Sequence, residues 1–215
     1  MLHHPLYRLV ETTPPGIEPL TLDEVKTFLR VDQTNDDALI TSLITAARLF
    51  CEANTGRSLI TRSYSLFLDR WPGARFTHRF RPEQRRIPVA PEPYAVGLPA
   101  PPLLSVTQIN IYAPDNSSMV FDAGSYFVDT AGVPGRVVLM QGAVPPLPGR
   151  VANGIEIQFT AGYGTTEDDV PVLLRQGMLQ VIAHLYEHRG DSPDQALLAS
   201  GAAAIFQPYR LMSLS

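Results

Sequence analysis

Leu39, Leu43, Ala46, Ala47 and Phe50 recur at helical spacing, as do Leu174, Met178, Val181, Ile182 and Leu185. Each stripe has its own start signal. Acidic Asp36 and Asp37, after Asn35, suit the positive end of the first helix, and Gly56 is placed to stop it. The second stripe follows Asp168-Asp169-Val170-Pro171, acids and then a proline at the first turn. A shorter helix is predicted from Thr21 to about Arg30, because Thr21-Leu22-Asp23-Glu24 reads as a capping box. Ser192-Pro193-Asp194-Gln195 reads the same way and predicts a last short helix to about Phe206, ended by Pro208.

Between the two stripes the period changes to two. Tyr64, Leu66 and Leu68 alternate with Ser65, Phe67 and Asp69, Ile109 and Ile111 flank Asn110, and Ile155, Ile157 and Phe159 alternate with Glu156, Gln158 and Thr160. Runs at 118–121, 125–130 and 136–140 also fit strands, with turns at Asp115-Asn116 and Gly132. The pattern predicts an antiparallel sheet with one wet face. The order helices, sheet, helices is an α+β arrangement. An arm at 1–19 precedes a helical core of 20–60 and 168–190, with the N- and C-terminal helices packed together. The sheet region is 61–167, interrupted by a long Arg/Pro-rich loop at 71–102, and 191–215 forms a closing segment.

Length and composition suit one good core, with or without an elaboration. Twenty prolines are about twice average usage and gather at 82–102 and 134–148, which suggests long ordered loops. The net charge of −4 is unevenly spread. From Arg57 to Arg86 there are eight arginines against Asp69 and Glu83, a local +6, so the remainder carries −10. Cys51 is the sole cysteine, which excludes an intrachain disulfide, and it sits in a helical pattern as a buried thiol would. No apolar run approaches membrane-spanning length and no signal-peptide pattern opens the chain, so a soluble protein made in the cytoplasm is expected.

Three constellations carry candidate chemistry. His184-Leu185-Tyr186-Glu187-His188 matches H-x-x-E-H, in which two histidines on one helix face could hold zinc with Glu187 as base. That signature expects a downstream glutamate, and none follows Glu187, so a polar helix flank is the expected reading and a small zinc hydrolase the remote alternative. Gly162-Tyr163-Gly164 lacks both the dinucleotide fingerprint and the Walker lysine and reads as a turn leaving a strand. The arginines between Arg70 and Arg86, above all Arg75, Arg79, Arg81, Arg85 and Arg86, interleave with Trp71, Phe76 and Phe80. They fit a solvated loop, a contact to an acidic partner, or a nucleic-acid-binding module. No catalytic group, cofactor site or metal site is assigned.

The segment after His188 is a small-residue run followed by Ile205-Phe206-Gln207-Pro208-Tyr209-Arg210-Leu211. Following a completed domain, it reads as something to dock into a neighbour.

Three ordered blocks carry a resemblance. The first runs from Tyr7-Arg8-Leu9-Val10 through Glu18-Pro19-Leu20-Thr21-Leu22-Asp23-Glu24-Val25-Lys26 to Thr55-Gly56-Arg57. The second is Phe159-Thr160-Ala161-Gly162-Tyr163-Gly164, then Val170-Pro171, Leu174-Arg175-Gln176-Gly177-Met178 and His184-Leu185-Tyr186-Glu187. The third is Pro208-Tyr209-Arg210. In this order they resemble the head–tail connector (adaptor) proteins of tailed bacteriophages and phage-like gene transfer agents. The Arg/Pro-rich stretch 71–102 is longer than such proteins suggest, and nothing transfers to its arginines. The resemblance implies a non-enzymatic structural protein at the head–tail junction of a virion or phage-like particle. It implies a homo-oligomeric ring of twelve copies beneath the portal protein, extending the DNA channel and meeting the next tail component, a stopper or tail terminator. DNA would pass without sequence specificity along an acidic bore. It also implies that about 192–215 docks on the portal, with Ile205, Phe206, Tyr209, Arg210, Leu211 and Met212 as the interface.

Overall fold

The computed structural model describes residues 7–72 and 95–211. They form eight strands, β1 (Tyr7–Thr13), β2 (Arg62–Leu68), β3 (Ala95–Gly97), β4 (Leu103–Tyr112), β5 (Ser118–Val120), β6 (Tyr126–Asp129), β7 (Arg136–Leu139) and β8 (Ile155–Ala161). The helices are α1 (Leu22–Leu29), α2 (Asp37–Thr55), α3 (Val172–Glu187), α4 (Pro193–Ala199) and α5 (Ala202–Phe206). The expected α+β class holds, and its helical and sheet parts separate into two compact units.

The helical unit takes in, of the described residues, 13–62, 99–102 and 161–211. α2 presents Ile40, Ile44, Ala47 and Cys51 to the core, and α3 presents Leu174, Met178, Val181 and Ile182. The buried stripe of α2 is thus turned by one residue from the expected one: Leu43 and Phe50 sit at its margin. The α3 stripe is as read, with Leu185 at its edge. Thr21 caps α1 by accepting from the Glu24 amide at 3.2 Å. The reciprocal half of that expected box is replaced, because both carboxylate oxygens of Glu24 accept from Arg175 Nη2 of α3 at 2.9 Å. Ser192 and Gln195 do form the reciprocal box that starts α4. The single closing helix expected to Phe206 is two, broken at Gly201 in the left-handed region (φ 77°).

The sheet unit takes in, of the described residues, 7–12, 63–72, 95–98 and 103–160, and these contain two sheets where one was expected. The five-stranded sheet runs β1-β2-β8-β4-β5 and the three-stranded one β3-β7-β6. Pairing of β4 with β5, β3 with β7, and β6 with β7 is antiparallel. Two departures follow from pairing at long range. Residues 7–13, expected in an arm, are β1 at one end of the larger sheet, and Ala95–Gly97, expected in the loop 71–102, pair with Arg136–Val138 as β3.

Tyr64, Leu66, Ile109, Ile111, Ile155, Ile157 and Phe159 are buried, with Tyr64 and Phe159 stacked at 5.4 Å. The face expected to be wet is partly closed by a polar network. Glu156 is buried and accepts from Ser65 (2.7 Å), Asn110 (3.1 Å), Tyr112 (2.7 Å) and Gln158 (3.1 Å). Burial alone would raise its pKa, but those four donors outweigh it and hold it below the ordinary glutamate value. A depressed carboxylate stabilises the fold above its unfolded pKa and loses that contribution as pH falls through the folded value. Glu156→Gln is therefore expected to destabilise the sheet unit at neutral pH and to flatten the acid limb of its stability profile below about pH 4.3. Thermal melts of both proteins from pH 3 to 7 test this, and parallel acid limbs would refute it.

Candidate functional site

The sequence reads the closing segment as something to dock into a neighbour with little core left to fill; in the structure, α5 of that segment fills part of the core of the helical unit. Phe206 is 1% exposed and belongs to the cluster formed by Leu174, Met178, Val181 and Ile182. Its ring occupies the space over Gly177 of α3, where a Cβ would lie 2.4 Å from Phe206 Cε1. The glycine in the Arg175-Gln176-Gly177-Met178 block therefore makes room for the aromatic ring of the tail. Ile205 and Tyr209 are partly buried against the same core. Arg210 is exposed, and Met212 lies outside the described residues.

A latch at the C-terminal end of α2 holds the chain beyond α5. Gly56 ends α2 in the left-handed region (φ 72°), and Leu211 packs on it, its Cδ1 lying 3.1 Å from where a Cβ would be. The Leu211 amide donates to Thr55 O at 3.0 Å. Arg57 Nε donates to Tyr209 O at 2.6 Å and Nη1 to Tyr163 Oη at 3.3 Å, with the guanidinium 5.9 Å from the Tyr209 ring centre. The Gly56-Arg57 pair and Tyr209-Arg210 belonged to separate blocks of the resemblance, and the fold brings them together.

Arg57 was counted with the basic cluster, as was Arg62; both have internal roles. Glu52 of α2 accepts from Arg62 Nη2, from Arg48 Nη1 at 3.1 Å and from the Leu59 amide at 3.1 Å. Arg48 also donates to Glu18 at 2.7 Å and 3.3 Å. Burial opposes the charge on Arg48, but Glu18 and Glu52 outweigh it and raise its pKa. Arg48 and Glu52 are an i, i+4 pair on α2, a spacing the local sequence carries, whereas Glu18 and Arg62 reach them from outside the helix and nothing local marks them. Arg75, Arg79, Arg81, Arg85 and Arg86 lie outside the described residues.

The side chains of the H-x-x-E-H match have other partners. His184 Nε2 meets Asp191 Oδ2 at 2.7 Å, the two histidine rings stack at 4.4 Å, and Glu187 is exposed. Among the described residues, no three His, Cys, Asp or Glu side chains are grouped to hold a metal ion. Cys51 is fully buried, and burial pushes its thiol far above the ordinary range, so it has no thiolate to offer near neutral pH. Gly162-Tyr163-Gly164 is the turn leaving β8. Gly162 (φ 138°) donates to Pro102 O at 2.9 Å, and a Cβ there would lie 2.5 Å from Thr61 N. Gly162→Ala combines that backbone collision with an unfavourable φ and is expected to cost more than about 1 kcal/mol. Urea denaturation that leaves the midpoint unchanged would contradict it.

A family model described as phage gp6-like head–tail connector protein matches residues 19–88. No curated protein matches the chain. Among solved structures, a chain from the neck of an empty gene transfer agent particle, computed with C6 symmetry, superposes with a TM-score of 0.74 at 23% identity, covering 97% of both chains. A chain from the virion of a native gene transfer agent particle gives 0.71 at 23% identity, covering 96% of this chain and 97% of that one. A chain from the neck of a native particle, computed with C12 symmetry, gives 0.69 at 24% identity and 97% of both. The chain thus carries the gp6-like head–tail connector pattern across its N-terminal helices and the fold of a gene transfer agent neck protein along almost its whole length, as its resemblance to head–tail connectors implied.

Proposed function

We propose that this chain is a structural, non-enzymatic head–tail adaptor, located at the head–tail junction of a phage-like particle. In this reading it forms a ring of twelve copies that joins the portal to the next tail component and extends the DNA channel, through which DNA passes without sequence-specific contact. The observation that carries the reading is the full-length likeness to neck chains, in structures computed with C6 and C12 symmetry. The connector family's match over 19–88 supports it independently.

The portal contact is assigned to the closing segment, in a form changed by the geometry. Phe206 supports the segment from inside, Ile205, Tyr209 and Leu211 are partly covered, and Arg210 is exposed to meet the partner. Deleting 205–215 would remove a core side chain, so it could not separate docking from folding. Arg210→Glu can: it is expected to leave the melting temperature unchanged and to weaken portal binding, since arginine is among the residues that dominate interface energy.

The test of the reading is to mix the purified chain with its portal protein and image the complex by electron microscopy. A symmetric ring capping the portal is expected. A folded chain that does not associate with the portal would overturn it.

A further inference from the structure

The helical unit carries two uncharged helix faces that point away from each other. α2 turns Ile40, Ile44 and Cys51, and α3 turns Leu174, Met178 and Ile182, to the same core, so their outward rows lie on opposite sides of it. The outward row of α2 is Ala38, Ser42, Thr45, Leu49 and Ala53, with Leu49 51% exposed. The three charges of α2 are all engaged within the chain: Asp37 pairs with Lys26, and Arg48 and Glu52 pair with each other and with Glu18 and Arg62. The outward row of α3 opens with Val172 and Leu173, 76% and 56% exposed, and continues through Gln176, Gln180 and Ala183. Surface helices ordinarily present charge to water, whereas the cores of protein interfaces are depleted of it.

The ends of the two faces carry opposite charge. Glu167, Asp168 and Asp169 stand at the N-terminal end of α3, and Arg175 bonds only Asp168 of the three, at a side chain that stays 88% exposed. Arg57 stands at the C-terminal end of α2. Its guanidinium donates to Tyr209 O and Tyr163 Oη and meets no carboxylate among the described residues. Tyr186, near the C-terminal end of α3, donates to Asp36 at the N-terminal end of α2 at 2.5 Å, so the two helices run antiparallel and the acidic and basic ends lie at one end of the unit. We propose that the α2 face of one copy packs against the α3 face of the next around the ring. The occupant is a second copy because the two faces are matched: both are uncharged along their length, and the acidic end of one answers the basic end of the other. Neighbours in a ring of twelve differ by a small rotation, so Asp168 comes toward Arg57 of the next copy, and Leu49 and Ala53 meet the row of Val172, Leu173 and Gln176. A head-to-tail contact that closes covers both faces in every copy. The inference rests on the ring reading of the protein.

The test uses the full chain assembled on its portal and imaged by electron microscopy. Ala53→Cys and Val172→Cys are combined in one variant, and a short bismaleimide is applied. Both positions are exposed, and Cys51 is fully buried and serves as an internal blank. A ladder of covalent oligomers up to the full ring is expected from the double variant, with each single variant remaining monomeric. Leu49→Glu provides a readout independent of register. It should leave the melting temperature of the free chain unchanged, because Leu49 is exposed there. It should reduce ring formation by about tenfold or more, because the neighbour would then bury an unpaired carboxylate close to its own acidic turn. A double variant that forms the ring without a ladder, or a full ring from Leu49→Glu, overturns the pairing and leaves the adaptor reading standing. Cross-linking of either single variant overturns the pairing too, because it would mean that like faces meet. A folded wild-type chain that forms no ring on the portal overturns the adaptor reading and the pairing with it.

Discussion

Phe206→Ala is expected to destabilise the free chain by about 3–5 kcal/mol, the range for removing a buried aromatic ring. This is a large fraction of a typical domain's stability. The ring is fully enclosed, and it lies over a glycine whose missing Cβ is what lets it approach α3. Two readings of the tail diverge here. A docking anchor would lose portal affinity and leave the unbound chain as stable as before; a core residue would lower the urea midpoint with no portal present. The companion variant is Gly177→Ala. Alone it pushes a methyl group into the Phe206 ring and should cost about 1–3 kcal/mol, as overpacking does. Added to Phe206→Ala, the same methyl enters the vacated space, so the double variant should be more stable than the sum of the single losses implies. Additive losses would show that the two residues do not share one packing site.

Glu52→Ala should be comparably severe. Arg62 and Arg48 are nearly inaccessible at their side chains, 4% and 9% exposed, and both donate to this carboxylate, as does the Leu59 amide. Removing the anion takes an acidic partner from two desolvated guanidinium groups, and breaking a buried ion pair from one side typically costs about 3–5 kcal/mol. Glu18 continues to hold Arg48, which limits the damage there, while the turn at Leu59 loses its side-chain acceptor. Urea denaturation of Glu52→Ala and Glu18→Ala in parallel separates the two. Glu18 is the more exposed acid, 29% at its side chain against 13% for Glu52, and its loss should be the smaller. Equal midpoints would contradict the central role given to Glu52.

Both variants concern residues whose roles were hidden from local pattern. The Ile205-Phe206 pair was visible as apolar, but only the packing of α5 on α3 shows that it completes a core rather than leaving one. Arg57 and Arg62 were read as members of a basic cluster because charge along a chain says nothing about a partner. Arg57 bonds a carbonyl 152 residues away. The H-x-x-E-H spacing likewise says nothing about partners: His184 meets Asp191 in the turn that follows α3.

Period and capping chemistry alone determined the order of elements, the span of α2 and α3 and most strands, because these depend on neighbours within four or five residues. Ser192 with Gln195 and the stop at Gly56 are of this kind. Tertiary structure decided the division into two sheets, the recruitment of residues 7–13 and 95–97 as strands, the one-residue turn of the α2 stripe and the fate of the tail. Each of these depends on which surface meets which. A strand such as β1 buries no side chain and so shows no period of its own; its partner β2 lies some fifty residues further along the chain and is what makes it a strand.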